Sequence, residues 1–290
     1  MKWRDRRQSS NISSQGRGRV GMGVGVGGIL MGLLVFALTG NPLAGLQAGL
    51  SGGGLGPKEV HQEALQLSQK EKELYQYSAV VLADTEDQWG ALFQKEGRRY
   101  NPPKMAIFQE TVRSGCGIAQ SGMGPFYCGE DQKIYMDLSF YDELIKKFGA
   151  KEGDFVLSYV ISHEVGHHVQ KELGILDKVN ALRSRASQQE ANALTVRLEL
   201  MADYLAGVVA RYQKDQGYLE AGDIEEAIST AWSIGDDTLQ QKAGHQVQPE
   251  SFTHGSSEQR TRWFKKGYEA GDLSQIDTFD TRRYPTPQDL

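Results

Sequence analysis

The pentapeptide His163-Glu164-Val165-Gly166-His167 constrains this chain more than any other stretch. On an α-helix, residues four apart stand one above the other on the same face. Two imidazoles at that spacing can grip one metal ion, so His163 and His167 are expected as zinc ligands. Glu164 lies about 100° further round the helix, too far to share the ion but within reach of a water that the ion activates. Two ligands, one general base and an open position are the parts of a metal-dependent hydrolase.

The flanking residues predict the helix. Gly153-Asp154 supplies a stop and an N-cap, and Gly174 supplies a C-terminal stop. Between them Phe155, Val156, Leu157, Val160, Ile161, Val165, Val169 and Leu173 leave almost no polar face, so the helix is expected to be buried. Burying His163, Glu164 and His167 in it is costly unless something satisfies them, and a metal does. His168 points about 100° away from His167 and reads as a packed or hydrogen-bonded core residue.

A catalytic zinc usually takes three protein ligands. The next strong helix, from about Ser187 to Lys214, carries Glu199-Leu200-Met201-Ala202-Asp203. Glu199 and Asp203 share a face, flanked by Ala202, Ala206 and Gly207, which let a second helix come close. Glu199 is the expected third ligand. Asp203 is placed to accept the second ring N–H of a ligand histidine, His163, fixing its tautomer. A solvated acidic stripe is the bland reading of the same pair.

With these residues in hand, the chain resembles the gluzincin branch of zinc metallopeptidases. Its wider sequence is similar to the neutral zinc metallopeptidase family of YpfJ-like, membrane-anchored bacterial proteins. The features that carry the resemblance are a basic start, one hydrophobic span, a Gly-rich linker, a two-cysteine segment, HEVGHHVQ, ELMAD and Phe252-Thr-His-Gly-Ser-Ser-Glu-Gln-Arg260. The resemblance implies a zincin-like fold and peptidase chemistry. It supplies no substrate.

Charge divides the chain. Net charge is −5, yet the first twenty residues hold six basic residues against Asp5, a net of +5 that leaves −10 for the rest. So acidic a body argues against a nucleic-acid partner. Residues 1–19 read as a basic, cytoplasmic N-terminus. Val20 to Leu38 carries no charge, and its length approaches the ~30 Å of a bilayer core, so 20–39 reads as a transmembrane anchor. A cleaved signal peptide is the alternative, disfavoured because Ala37-Leu38-Thr39 ends in threonine. Arginines ahead of the span place the catalytic body outside the bacterial inner membrane. Residues 40–57 form a Gly-rich linker, and 58–290 the peptidase domain.

From Lys58 the pattern turns helical, with Asp84-Thr85-Glu86 as punctuation before a second helix at Trp89. Met105 to Val112 and Phe126 to Leu138 read as strands. By resemblance, Lys133 to Leu138 is the edge strand that pairs with extended substrate. Cys116 and Cys128 are the only cysteines. In an oxidising compartment they are expected to pair; in a cytoplasmic body they would stay reduced. Asp177 to Gln189 is polar, with a basic patch at Arg183 and Arg185, either topping the cleft or simply solvated. Asp223 to Lys242 reads as one amphipathic helix with Glu225, Glu226, Asp236 and Asp237 facing solvent. Ser256 and Gln259 match a capping box, which leaves His254 on a loop just before a helix. By resemblance to gluzincins, His254 donates a hydrogen bond to the oxyanion of peptide hydrolysis, with Tyr127 and Tyr135 as weaker candidates.

The expected protein is α+β and zincin-like, mostly helical with a small sheet, preceded by one N-terminal transmembrane helix. Its expected cofactor is Zn2+ and its expected substrate a peptide or protein. A zinc-stabilised membrane scaffold, or a hydrolase acting on another amide or ester, shares the same features.

Overall fold

The computed structural model describes residues 1–20 and 60–290. The strands are β1 (Ile12–Val20), β2 (Val60–Glu63), β3 (Lys104–Gln109), β4 (Thr111–Ser114), β5 (Gly117–Gln120), β6 (Phe126–Cys128) and β7 (Lys133–Met136). The helices are α1 (Gln69–Lys95), α2 (Phe140–Lys146), α3 (Phe155–Glu172), α4 (Ile175–Arg183), α5 (Gln188–Asp215), α6 (Asp223–Ser233), α7 (Asp236–Lys242) and α8 (Ser257–Ala270). The fold is thus α+β, mostly helical with a small sheet.

The sheet runs β2-β1-β3-β7-β6, and β4 pairs with β5 as a separate hairpin. β1, β3 and β7 are parallel, and the two outer strands are antiparallel to their neighbours. Side chains alternate across a strand. Met105, Ile107, Ile134 and Met136 accordingly join the main core with the helices, while Ala106, Phe108 and Tyr135 pack on the other face against Val112, Ala119 and Cys128. Cys116 and Cys128 form a disulfide, which ties the β4–β5 hairpin to β6.

α3 lies at the centre of the helical layer, and every residue from Phe155 to Gly166 is buried. Its β-branched residues are poor intrinsic helix formers, so tertiary packing rather than propensity holds it. Its first turn is not closed by Asp154. The Glu226 carboxylate accepts from the Phe155 N–H at 3.1 Å, and Asp154 Oδ2 instead takes the Trp3 indole N–H at 3.1 Å.

Four expectations need correction here. Residues 1–19 are not a separate tail. The Lys2 N–H donates to Tyr218 O at 2.8 Å, Ser9 N–H donates to Ala79 O at 2.9 Å, and β1 lies between β2 and β3. Arg6 pairs with Asp84, and Arg7 with Glu86 and Asp87. The basic start is the complement of acids on α1.

Asp84-Thr85-Glu86 does not break α1, because these polar groups have partners inside the fold. Gln213 donates to Asp84 at 2.9 Å, and the Thr85 hydroxyl donates to Leu82 O at 2.7 Å. β7 is not an edge strand; β3 and β6 pair with it on either side, and β6 is the edge. Asp223 to Lys242 is two helices, broken at Gly235. A Cβ there would lie 2.3 Å from the Ser257 nitrogen, so a continuous helix bearing a side chain would collide with the start of α8.

The charge-free stretch expected to span a membrane lies, apart from Val20 in β1, outside the described residues. Among the described residues no helix is long and apolar enough to cross a membrane.

Candidate metal centre

α3 and α5 cross where Gly166 meets Ala202. A Cβ on Gly166 would sit 3.1 Å from both the Cα and the carbonyl oxygen of Ala202, so glycine is what allows this approach. The crossing brings His163 and His167 of α3 against Glu199 of α5. His163 Nε2 lies 3.1 Å from Glu199 Oε2, and His167 Nε2 lies 3.5 Å from Glu199 Oε1. The two imidazoles are perpendicular, with centroids 4.9 Å apart. Each residue offers a ligand atom, and all three atoms lie within 4.8 Å of one another. Gly207, by contrast, serves α8 and not the metal helix; a Cβ there would sit 2.1 Å from Phe264 O.

The donor set fits zinc. Ligand atoms about 2.0–2.1 Å from a tetrahedral ion lie about 3.3 Å from one another, close to the separations across Glu199. Both histidines also present the correct nitrogen. His163 Nδ1 is 2.8 Å from Asp203 Oδ1, and His167 Nδ1 is 3.0 Å from Gln170 Oε1. An acceptor at each Nδ1 holds the proton there and leaves both Nε2 lone pairs for an ion. Gln170 is fully buried and fixed by its own donation to Leu198 O at 2.6 Å.

Asp203 is the hub behind His163. Its carboxylate also accepts from Tyr159 Oη at 2.6 Å, from Arg260 Nε at 3.0 Å and from Arg260 Nη2 at 3.1 Å. Burial works against that charge, but Arg260 and His163 hold the carboxyl below its usual range. Burial alone would lower the His163 pKa, yet Asp203 and Glu199 outweigh it and raise it to about 10. Glu199, which burial would raise, is held well below the carboxylate range by His167, His254 and His163. The three carry complementary charge, which is the electrostatic setting a divalent cation would enter.

Glu164 is 8 % exposed on the same helix, and its charge helps raise His167. His254 stands on the loop before α8, whose Ser256–Gln259 capping box is present. Asp236, at the start of α7, pins that loop: its Oδ2 accepts from the backbone N–H groups of Thr253 (2.6 Å), His254 (2.6 Å) and Gly255 (3.1 Å). His254 Nδ1 lies 3.4 Å from Asp236 Oδ1 and 3.1 Å from Thr253 Oγ1. Burial opposes protonation of His254, but Glu199 and Asp236 raise its pKa.

The remaining candidates are engaged elsewhere. Tyr127 Oη is 3.0 Å from His168 Nδ1, and Tyr135 Oη donates to Asp131 at 2.6 Å. His168 Nε2 reaches Asn101 O at 2.6 Å, so His168 is a hydrogen-bonded core residue whose pKa burial lowers. Asp236 and Asp237 do not face solvent as expected. Asp237 accepts from the Ser257 N–H at 2.7 Å and from its hydroxyl at 2.8 Å. Sequence reasoning also missed Gln170, Tyr159 and Arg260. Gln170 sits one turn after His167, a spacing that marks it as a neighbour; the other two leave no local signal.

A helix-borne His/His/carboxylate cluster in an α+β body is an arrangement of the His-Glu-x-x-His type that could hold a metal ion. The chain belongs to the family described as "Putative neutral zinc metallopeptidase", whose model matches residues 1–279. It is 47% identical over 290 residues to "Uncharacterized protein YpfJ" of Escherichia coli (strain K12), covering 96% of this chain and 99% of that one. It is 43% identical over 190 residues to "Uncharacterized protein Rv2575" of Mycobacterium tuberculosis (strain ATCC 25618 / H37Rv), covering 62% of this chain and 63% of that one. No solved structure matches the chain.

Proposed function

We propose that this protein is a zinc metallopeptidase that hydrolyses peptide bonds, with His163, His167 and Glu199 holding the metal and Glu164 as general base. The observation that carries the reading is the convergence of two imidazole nitrogens and a carboxylate oxygen within 4.8 Å, one residue from Glu164. When bound, zinc supplies Lewis acidity toward the scissile carbonyl and lowers the pKa of water. Glu164 takes the proton of the attacking water and returns it to the leaving amine. His254, with Nδ1 engaged by Asp236 and Thr253, donates from Nε2 to the oxyanion of the tetrahedral state. Asp203 and Gln170 keep the ligand imidazoles in the tautomer that binds metal.

The Cys116–Cys128 bond supports placing the body in an oxidising compartment. Attachment to a membrane through the charge-free residues 20–38 rests on the sequence alone.

The test compares wild-type protein with Glu164→Gln on unfolded casein, with zinc content measured on both. The wild type is expected to cleave; the variant is expected to keep its zinc and lose about 10²-fold or more in rate. Equal inertness of the two proteins, both carrying zinc, would instead favour a zinc-stabilised scaffold.

A further inference from the structure

Near the candidate metal residues stands a cation with no carboxylate paired to it among the described residues. Arg183 is the last residue of α4, the short helix that packs against both α3 and α5. Its side chain is half-buried, and its Nε is buried without a hydrogen-bond partner. Among the described residues the guanidinium makes one hydrogen bond, from Nη1 to Asn180 Oδ1 at 3.2 Å, and that acceptor is neutral. The charge acting on it is the carboxylate of Glu199. Glu199 is committed, however: His163 and His167 lie against its two oxygens.

An arginine removed from water without a carboxylate is costly, and the cost is relieved when an anion arrives. The surrounding charges agree. Arg260 and Asp203 cancel one another in a buried pair, and Asp236 faces His254. Two neutral imidazoles and one carboxylate around a divalent ion carry a net positive charge, which Glu164 balances. Arg183, unlike Arg260, has no carboxylate paired with it among the described residues. Nη2 makes no hydrogen bond among the described residues and is not buried, so it is the nitrogen left to meet an arriving carboxylate.

Building on the peptidase reading above, we propose that Arg183 is the specificity residue of this site and binds a carboxylate of the substrate close to the bond that is cleaved. That carboxylate belongs either to an Asp or Glu side chain or to the substrate's C-terminus. Arg183 does not act on the reacting atoms; it selects and positions the peptide.

The experiment uses the zinc-loaded, full-length Glu164→Gln protein and calorimetric binding of N-acetylated, alanine-rich hexapeptides. These carry Glu or Gln at each position in turn and are made both as free acids and as C-terminal amides. One of the two changes, Glu to Gln at a single position or acid to amide, is expected to weaken binding about tenfold or more. Which change does so identifies the source of the carboxylate. In Arg183→Gln the acidic and neutral peptides should bind alike, and Arg183→Lys should restore part of the difference. Zinc content and melting temperature of both variants report that the site is intact. Binding indifferent to every carboxylate, or a preference that survives in Arg183→Gln, overturns the proposal. Wild-type protein that binds acidic peptides through Arg183 yet cleaves none leaves the proposal standing and counts against the peptidase reading.

Discussion

Asp203→Asn is the sharpest perturbation of the centre, because it changes charge with almost no change in shape. Asp203 is fully buried and accepts from Tyr159, His163 and two nitrogens of Arg260. An amide keeps one accepting oxygen and turns an NH2 toward groups that are themselves donors. Arg260, 3 % exposed, then loses the only carboxylate paired with it among the described residues. Removing one partner of a buried ion pair costs about 3–5 kcal/mol. That is a large fraction of the roughly 5–15 kcal/mol that holds a domain folded. The second effect falls on the metal. Loss of the acceptor behind a ligand histidine weakens binding about 10–100-fold, or about 1.4–2.7 kcal/mol. Urea unfolding of chelated protein reads the first effect, and competition with a chromophoric chelator reads the second. The double variant Asp203→Asn/Arg260→Met should recover part of the stability, since it removes the stranded charge, but none of the metal affinity. The reasoning is refuted if Asp203→Asn unfolds within about 1 kcal/mol of wild type and holds zinc equally well.

Three other outcomes follow from the same contacts. His254→Ala should leave zinc content unchanged and lower kcat about 10²–10³-fold on a peptide substrate, measured under saturating conditions. Chelated protein should lose stability as pH rises from about 6.5 toward 10. A histidine whose folded pKa lies near 10 stabilises fully below its unfolded value and progressively less above it. Zinc-loaded protein should show much less of this fall, because the ion replaces the proton, and urea midpoints at several pH values report both. Gly207→Ala should destabilise by about 1–3 kcal/mol or more, since its Cβ would lie 2.1 Å from Phe264 O and backbone cannot yield cheaply; thermal melting reads it.

The parts of the site that can be read in sequence are those written at helical spacing. His163 and His167, or Glu199 and Asp203, announce a shared face because four residues bring a helix round to the same side. Ser256 and Gln259 announce a helix start for the same local reason. Arg260 is harder to find: it meets Asp203 across 57 residues, through a helix crossing that no period encodes. Asp84 reads as a break because it is polar, and only Arg6 and Gln213, both remote, make it a core residue. β7 alternates as a strand should, but whether a strand is an edge depends on its neighbours, and β6 lies far too close in sequence to advertise itself as the outer one. Gln170 is local and still went unread, because a glutamine after two histidines looks ordinary until its Oε1 is seen against His167.

The position of β1 bears on how a working fragment can be cut from this chain. A reader who takes the sequence as tail, anchor and enzyme would express residues 60–290 alone. That fragment keeps His163, His167 and Glu199, yet it lacks the strand on which β2 and β3 both hydrogen-bond, with Val20 opposite Val60 at one end and Ile12 opposite Met105 at the other. β3 carries Met105 and Ile107, which share the core that surrounds α3. Omitting the first twenty residues therefore strips the floor beneath the histidines while leaving their ligand atoms untouched. A shortened version that keeps the sheet whole must join residue 20 to residue 60 through a brief turn rather than begin at residue 60.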